Sequence, residues 1–218
     1  FLTCLMALWL PAPLRGATIT WTGTVPGNWD LATSNWSSGT WSNGGLDTAV
    51  FGSTGGTVTL TTPITAGGLT FNSTGYTVTG STLTLASTGN PTISVTNNSD
   101  TATISSVLAG TNGLVVSGAG TLVLSGTNTF TNSAAAFIAT QMNGTGTLRL
   151  SNTAALGAAT NGLVINSGTV DLATDTTVNA YLTTILGNAT IVSNRATAGA
   201  GITQTLGTLV MNGSTLTV

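Results

Sequence analysis

The chain has 218 residues, of which only 4% are charged: three arginines, five aspartates, no histidine and, with them, a single cysteine. A net charge of −2 leaves no basic patch, which argues against nucleic acid and anionic membrane surfaces as partners. A hydrophobic fraction of 41% supplies enough apolar surface for a sizeable core and sets the chain apart from charged disordered tails.

Phe1 to Leu10 is an apolar run, followed by Pro11, Pro13 and the small pair Gly16 and Ala17. It is too short to span a bilayer and reads as the apolar and cleavage regions of a secretory signal peptide over 1–17, with the basic leading region missing. Cleavage is expected after Gly16 or Ala17. Removing the segment takes away Cys4, the one cysteine, so the exported chain relies on hydrogen bonding and packing rather than disulfides.

Residues 18–56 carry Trp21, Trp29, Trp36 and Trp41, four of the five tryptophans. Thr18 to Thr22 alternates as a strand, Pro26-Gly27-Asn28 turns the chain, and Asp47 to Phe51 opens a second apolar stretch. This region is expected to cap a repetitive structure, because the first coil of a solenoid must shield its apolar interior. The four tryptophans are also a candidate glycan-stacking platform, although Asp30 and Asp47 are the only charged side chains there to fix sugar hydroxyls.

From residue 57 to 218 the chain reads as short strands divided by Gly, Asn and Ser. They include Thr57–Leu60, Gly68–Phe71, 76–78, 93–95, 113–116, Gly162–Ile165 and 191–193, each alternating apolar residues with Thr or Ser. Ser133 to Gln141 is the nearest approach to a helix. One phrase recurs: S-T-L-T-L at 81–85, G-T-L-V-L at 120–124, G-T-L-R-L at 146–150, G-T-V-D-L at 168–172 and G-T-L-V-M at 207–211. Self-similarity at this spacing predicts stacked coils of roughly 20 residues, with the longer gaps spanning two coils. Asn-Gly pairs at 43, 112, 143, 161 and 212 leave a hairpin-built sandwich as the competing fold. Recurrence of whole phrases favours an all-β, right-handed parallel β-helix, a solenoid with an N-terminal Trp-rich cap. Rows of Thr, Asn and apolar residues are expected to bond and pack between coils.

Gly113 to Thr131, reading G-L-V-V-S-G-A-G-T-L-V-L-S-G-T-N-T-F-T, resembles the autotransporter-associated β-strand repeat, and the similarity continues through Gly146 to Gly157. Partial copies stand at 67–87 and 161–172. The opening Thr20-Trp21-Thr22-Gly23, Gly27-Asn28-Trp29, Asn35-Trp36 and Asp47 to Phe51 resembles the start of many proteins with such repeats. Departures are the missing Lys after Gly-Leu and the insertion at Ser133 to Met142. The resemblance implies a passenger segment that is secreted or displayed at the outer surface of a bacterium with an outer membrane. It also implies a translocation barrel or sorting tail; none is present, and Leu216-Thr217-Val218 stops inside an apparent strand, so truncation at both ends is expected.

Catalytic chemistry finds little material. Without histidine there is no Ser-His-Asp arrangement, and without histidine or a retained cysteine no common zinc or iron-sulfur site. No cofactor is expected, and no metal, since the calcium-binding G-G-x-G-x-D repeat is missing. Asp171 and Asp175 are the only carboxylates close in sequence. Asp171 is expected on the outer face, near Arg149 of the preceding phrase, in a solvated ion pair. The expectation is therefore a non-enzymatic β-helix segment acting as a cell-surface stalk or adhesion passenger, with surface glycans or other cells' surface molecules as partners. The alternatives are a carbohydrate-binding module using the Trp cluster, or the scaffold of a polysaccharide-processing enzyme whose active site lies beyond Val218.

Overall fold

A computed structural model describes residues 16–132 and 140–218. Among these no helix is present, and every strand pair is parallel. The first sheet runs Thr18–Thr20, Thr48–Phe51, Gly68–Phe71, Thr92–Val95, Leu114–Gly118, Thr140–Met142, Gly162–Ile165, Leu182–Ile185 and Leu209–Met211. The second runs Gly27–Trp29, Thr57–Leu60, Tyr76–Gly80, Thr101–Ile104, Thr121–Leu124, Thr147–Leu150, Gly168–Ala173, Ala189–Asn194 and Leu216–Thr217. A third joins Ile64–Ala66, Leu83–Leu85 and Leu108–Ala109. The chain visits the first two sheets alternately, so each circuit is one coil, and successive coils stack into a parallel β-solenoid. Coil length follows the register: Thr48 pairs with Gly68 twenty residues on, whereas Thr18 pairs with Thr48.

The alternation in the sequence decides which rows face inward. Ile104, Leu124, Leu150 and Leu172 are Cα partners in succession and are all buried, as are Ala102, Leu122, Leu148 and Val170 two residues earlier. One slip of register would turn both rows to water, so the apolar pattern holds the coils in phase.

The recurring phrase does not mark one site in every coil. Copies at 120–124, 146–150 and 168–172 pair with one another in the second sheet. The copy at 81–85 instead feeds the third sheet through Leu83–Leu85, and that at 207–211 feeds the first through Leu209–Met211. The longer gaps therefore combine a change of sheet with an intervening coil whose second-sheet strand, Thr101–Ile104 or Ala189–Asn194, keeps the Thr in register without the full phrase.

Where the copies do align, their glycine has a steric cause. A Cβ on Gly146 would lie 2.0 Å from the carbonyl oxygen of Gly120 in the coil below, and one on Gly168 would lie 2.7 Å from that of Gly146. Only glycine lets the backbones approach this closely. The asparagine of the S-G-T-N-T-F stretch, Asn128, is buried; its Oδ1 accepts from Leu108 N–H at 2.8 Å and its Nδ2 donates to the Ala155 carbonyl at 2.7 Å. One carboxamide thus ties three coils together, and Phe130 beside it is fully buried.

The Trp-rich segment is not a separate layer, because Thr18–Thr20 and Gly27–Trp29 form the first strands of the two main sheets. Ala17 extends this start: its N–H donates to Asp47 Oδ1 at 2.7 Å, and its carbonyl accepts from Thr48 N–H. Apart from Gly16 and Ala17, the signal-like segment lies outside the described residues. So does most of the stretch read as a possible helix; Thr140 and Gln141 at its end belong to the strand Thr140–Met142. At the opposite end Leu209 and Met211 continue the inner rows of Leu163, Thr183 and of Ile165, Ile185, yet are 46% and 41% exposed.

Candidate functional site

The four candidate tryptophans come together, and they do so inside the protein. Trp36 lies 5.1, 4.8 and 4.6 Å from Trp21, Trp29 and Trp41 between ring centroids, and none of the four is more than 3% exposed. Phe51 continues the stack onto Phe71 at 5.0 Å, joining the cluster to the next coil's core. Trp41 Nε1 donates to the Thr65 carbonyl at 3.0 Å, whereas Nε1 of Trp21, Trp29 and Trp36 has no acceptor among the described residues. The large apolar area of each ring outweighs that loss. Stacking on a pyranose needs an open ring face, and the geometry presents none here.

Four charged residues, Arg149, Asp171, Asp175 and Arg195, form two ion pairs at the second sheet. Arg149 and Asp171 are Cα partners, and Arg149 Nη1 reaches Asp171 Oδ2 at 2.5 Å. The expected solvation does not occur: Asp171 is buried, with its side chain 11% exposed. The reason is the segment 194–205, which folds back over the sheet. Arg149 Nη2 donates to the Arg195 carbonyl at 3.3 Å, and Gln204 Nε2 donates to the carbonyls of Thr174 and Thr176. Arg195 pairs with Asp175 at 3.2 Å, and Asp175 also accepts from the backbone N–H and hydroxyl of Thr197. Those bonds, the backbone one above all, hold the Asp175 carboxyl below its ordinary value. The two carboxylates close in sequence thus serve two separate ion pairs.

A third feature was not recognised as a surface from the sequence. Thr101, Thr121, Thr147, Thr169, Thr190 and Thr217 are Cα partners in unbroken succession through six coils of the second sheet. All six are half-buried or exposed, and among the described residues no hydrogen bond occupies their hydroxyls. Asn rows do bond between coils, as at Asn143 with Asn166 and Asn72 with Thr96; this Thr row does not. Its signal was the Thr following Gly in each aligned phrase. The column ends in an open groove of about 400 Å³ lined by Thr169, Thr190, Thr215, Thr217 and Asn188.

No family model matches the chain, and no solved structure matches it. Over 151 residues, 65% of this chain, the sequence is 42% identical to the protein named adhesin BmaC autotransporter of Brucella suis biovar 1 (strain 1330). The match spans 4% of that relative's length. With its parallel coils and Trp-rich first turn, the chain is a β-solenoid that is similar, over 65% of its length, to a segment of that autotransporter adhesin.

Proposed function

We propose that this chain is part of a non-enzymatic adhesion passenger, a stalk whose outer faces contact surface molecules of other cells. A passenger of this type stands at the outer surface of a bacterium with an outer membrane, anchored by a translocation barrel or sorting tail elsewhere in the whole protein. The observation that carries the reading is the similarity to an autotransporter adhesin over 151 residues. The fold supports it. Continuous inner rows and two parallel ladders make a stiff, extendable body in which each coil contacts chiefly its neighbours.

The placement of the carboxylates supports the non-enzymatic part. Asp30 accepts from the N–H groups of Ala32 and Thr33, Asp47 from Ala17 N–H, and Asp100 from the Asn97 carboxamide. With Asp171 and Asp175 in ion pairs, each carboxylate of the chain has a structural partner. The test is attachment. Beads coated with the purified chain are expected to bind a panel of animal, plant and bacterial cells more than beads coated with an unrelated β-solenoid of similar charge. Equal attachment by both would remove the adhesive reading.

A further inference from the structure

We propose that the threonine column of the second sheet is the contact surface of this stalk, and that its partner is an uncharged, extended glycan. The proposal rests on the adhesive reading above and names the face and the ligand chemistry.

The first argument is the state of the hydroxyls. Thr101, Thr121, Thr147, Thr169, Thr190 and Thr217 present side chains to the outside from six consecutive coils, and among the described residues none of those hydroxyls is engaged. Each can donate one hydrogen bond and accept two, the same capacity as a sugar hydroxyl. Asn188 borders the same groove; its Oδ1 accepts from Thr215 N–H at 3.1 Å, which leaves its Nδ2 to donate. The groove of about 400 Å³ at that end is lined by polar, neutral side chains and small backbone positions.

The second argument is charge. No member of the column is ionisable, and the charged pair beside it, Arg149 with Asp171, is closed on itself at 2.5 Å. A polyanion would gain no counter-charge here and would lose hydration, so a neutral partner complements the face.

The third is periodicity. Neighbouring strands stand about 4.8 Å apart, so the column offers a hydroxyl and a methyl group at that interval along the solenoid axis. That advance is close to the length of one sugar in an extended β-linked chain. A polymer laid along the axis meets the same group on each coil, and weak single contacts sum through multivalency.

The experiment is a glycan array probed with the full chain, alongside the variant carrying Thr147→Val, Thr169→Val and Thr190→Val. Valine keeps the β-branched shape and the strand preference while deleting the hydroxyl. Retention on one or more neutral, linear glycans is expected, with binding at least tenfold weaker in the triple variant and an unchanged melting temperature. Binding only to acidic glycans, no glycan binding, or equal binding by the triple variant each overturns the proposal. The bead assay separates the two levels. If beads carrying the triple variant attach as well as those carrying the parent chain, adhesion stands and this face is wrong. If neither attaches above the control solenoid, the adhesive reading itself fails.

Discussion

Arg149 and Asp171 sit at the same height on neighbouring strands of the second sheet, and Arg149 Nη1 closes on Asp171 Oδ2 at 2.5 Å beneath the folded-back segment 194–205. The other oxygen, Asp171 Oδ1, is buried without a partner among the described residues. The carboxylate therefore depends on one guanidinium.

Arg149→Met is expected to lower stability by about 1–3 kcal/mol, the cost of leaving a buried acceptor short of its partner. Replacing both residues, Arg149→Met with Asp171→Asn, is expected to recover part of that loss, because a neutral amide is cheaper to bury than an orphaned charge. Urea unfolding of the two variants measures the difference. A single variant within about 0.5 kcal/mol of the parent would show that the pair contributes nothing.

The other ion pair predicts a pH response. The Asp175 carboxyl is held below its ordinary value of 3.8, first by the Thr197 N–H and further by the Thr197 hydroxyl and Arg195. A depressed folded value means that its contribution is complete above 3.8 and is lost as the pH falls through the lower folded value. The segment 194–205 is thus expected to loosen at acid pH before the inner rows do. Hydrogen exchange at Arg195 and Thr197 checks this, and Asp175→Asn should show the loosened exchange at neutral pH. Uniform exchange changes along the whole chain would contradict it.

Glycine positions separate contact from mere turn preference. Gly146→Ala places a Cβ 2.0 Å from the Gly120 carbonyl oxygen, so the coils must shift, at a cost of about 1–3 kcal/mol or more. Gly52→Ala meets nothing within 4 Å and is expected to change stability by less than about 0.5 kcal/mol. Thermal melts of the two variants give the comparison directly.

The fold was legible because its cause is periodic. Alternation within each strand and the aligned G-T-L phrases at 120, 146 and 168 specify inner rows, and the rows specify parallel coils. Arg149 and Asp171 could be paired from the sequence because both occupy the variable position of that phrase. The burial of Asp171 was not legible, since it comes from Gln204 and Arg195 folding back across the sheet, and nothing periodic announces that segment. The phrases at 81 and 207 join other sheets because their alternating Thr and apolar residues suit any strand of the solenoid. The Trp cluster was placed at the right end, but aromatic composition alone does not tell a packed cap from an open platform.

That distinction has an optical readout. Trp21, Trp29, Trp36 and Trp41 are at most 3% exposed, so their emission is expected to be blue-shifted and weakly quenched by acrylamide. Adding the glycans that the chain binds is expected to leave that emission unchanged, because the proposed contact face lies on the second sheet's outer surface. A glycan-dependent shift from the cluster would instead make the cap a sugar site. Trp29→Ala, which empties a fully buried ring position, is expected to cost about 3–5 kcal/mol.

Asn128 offers the sharpest test of how the repeat motif holds the coils. Its Oδ1 serves the Leu108 N–H and its Nδ2 serves the Ala155 carbonyl, so Asn128→Ala orphans one donor and one acceptor in a buried place. The expected loss is about 2–6 kcal/mol, from two groups at about 1–3 kcal/mol each. Asn128→Asp keeps the acceptor for Leu108 but sets a second acceptor against the Ala155 carbonyl and buries a charge. Protonation would restore a donor on that side. A burial-raised carboxyl contributes its stability below the unfolded pKa and loses it as the pH rises through the higher folded value. Asn128→Asp is therefore expected to fall further below the parent chain as the pH rises from 4 to 7, while the deficit of Asn128→Ala stays constant. A pH-independent deficit in both variants would mean that the carboxamide acts by filling space rather than by joining the coils.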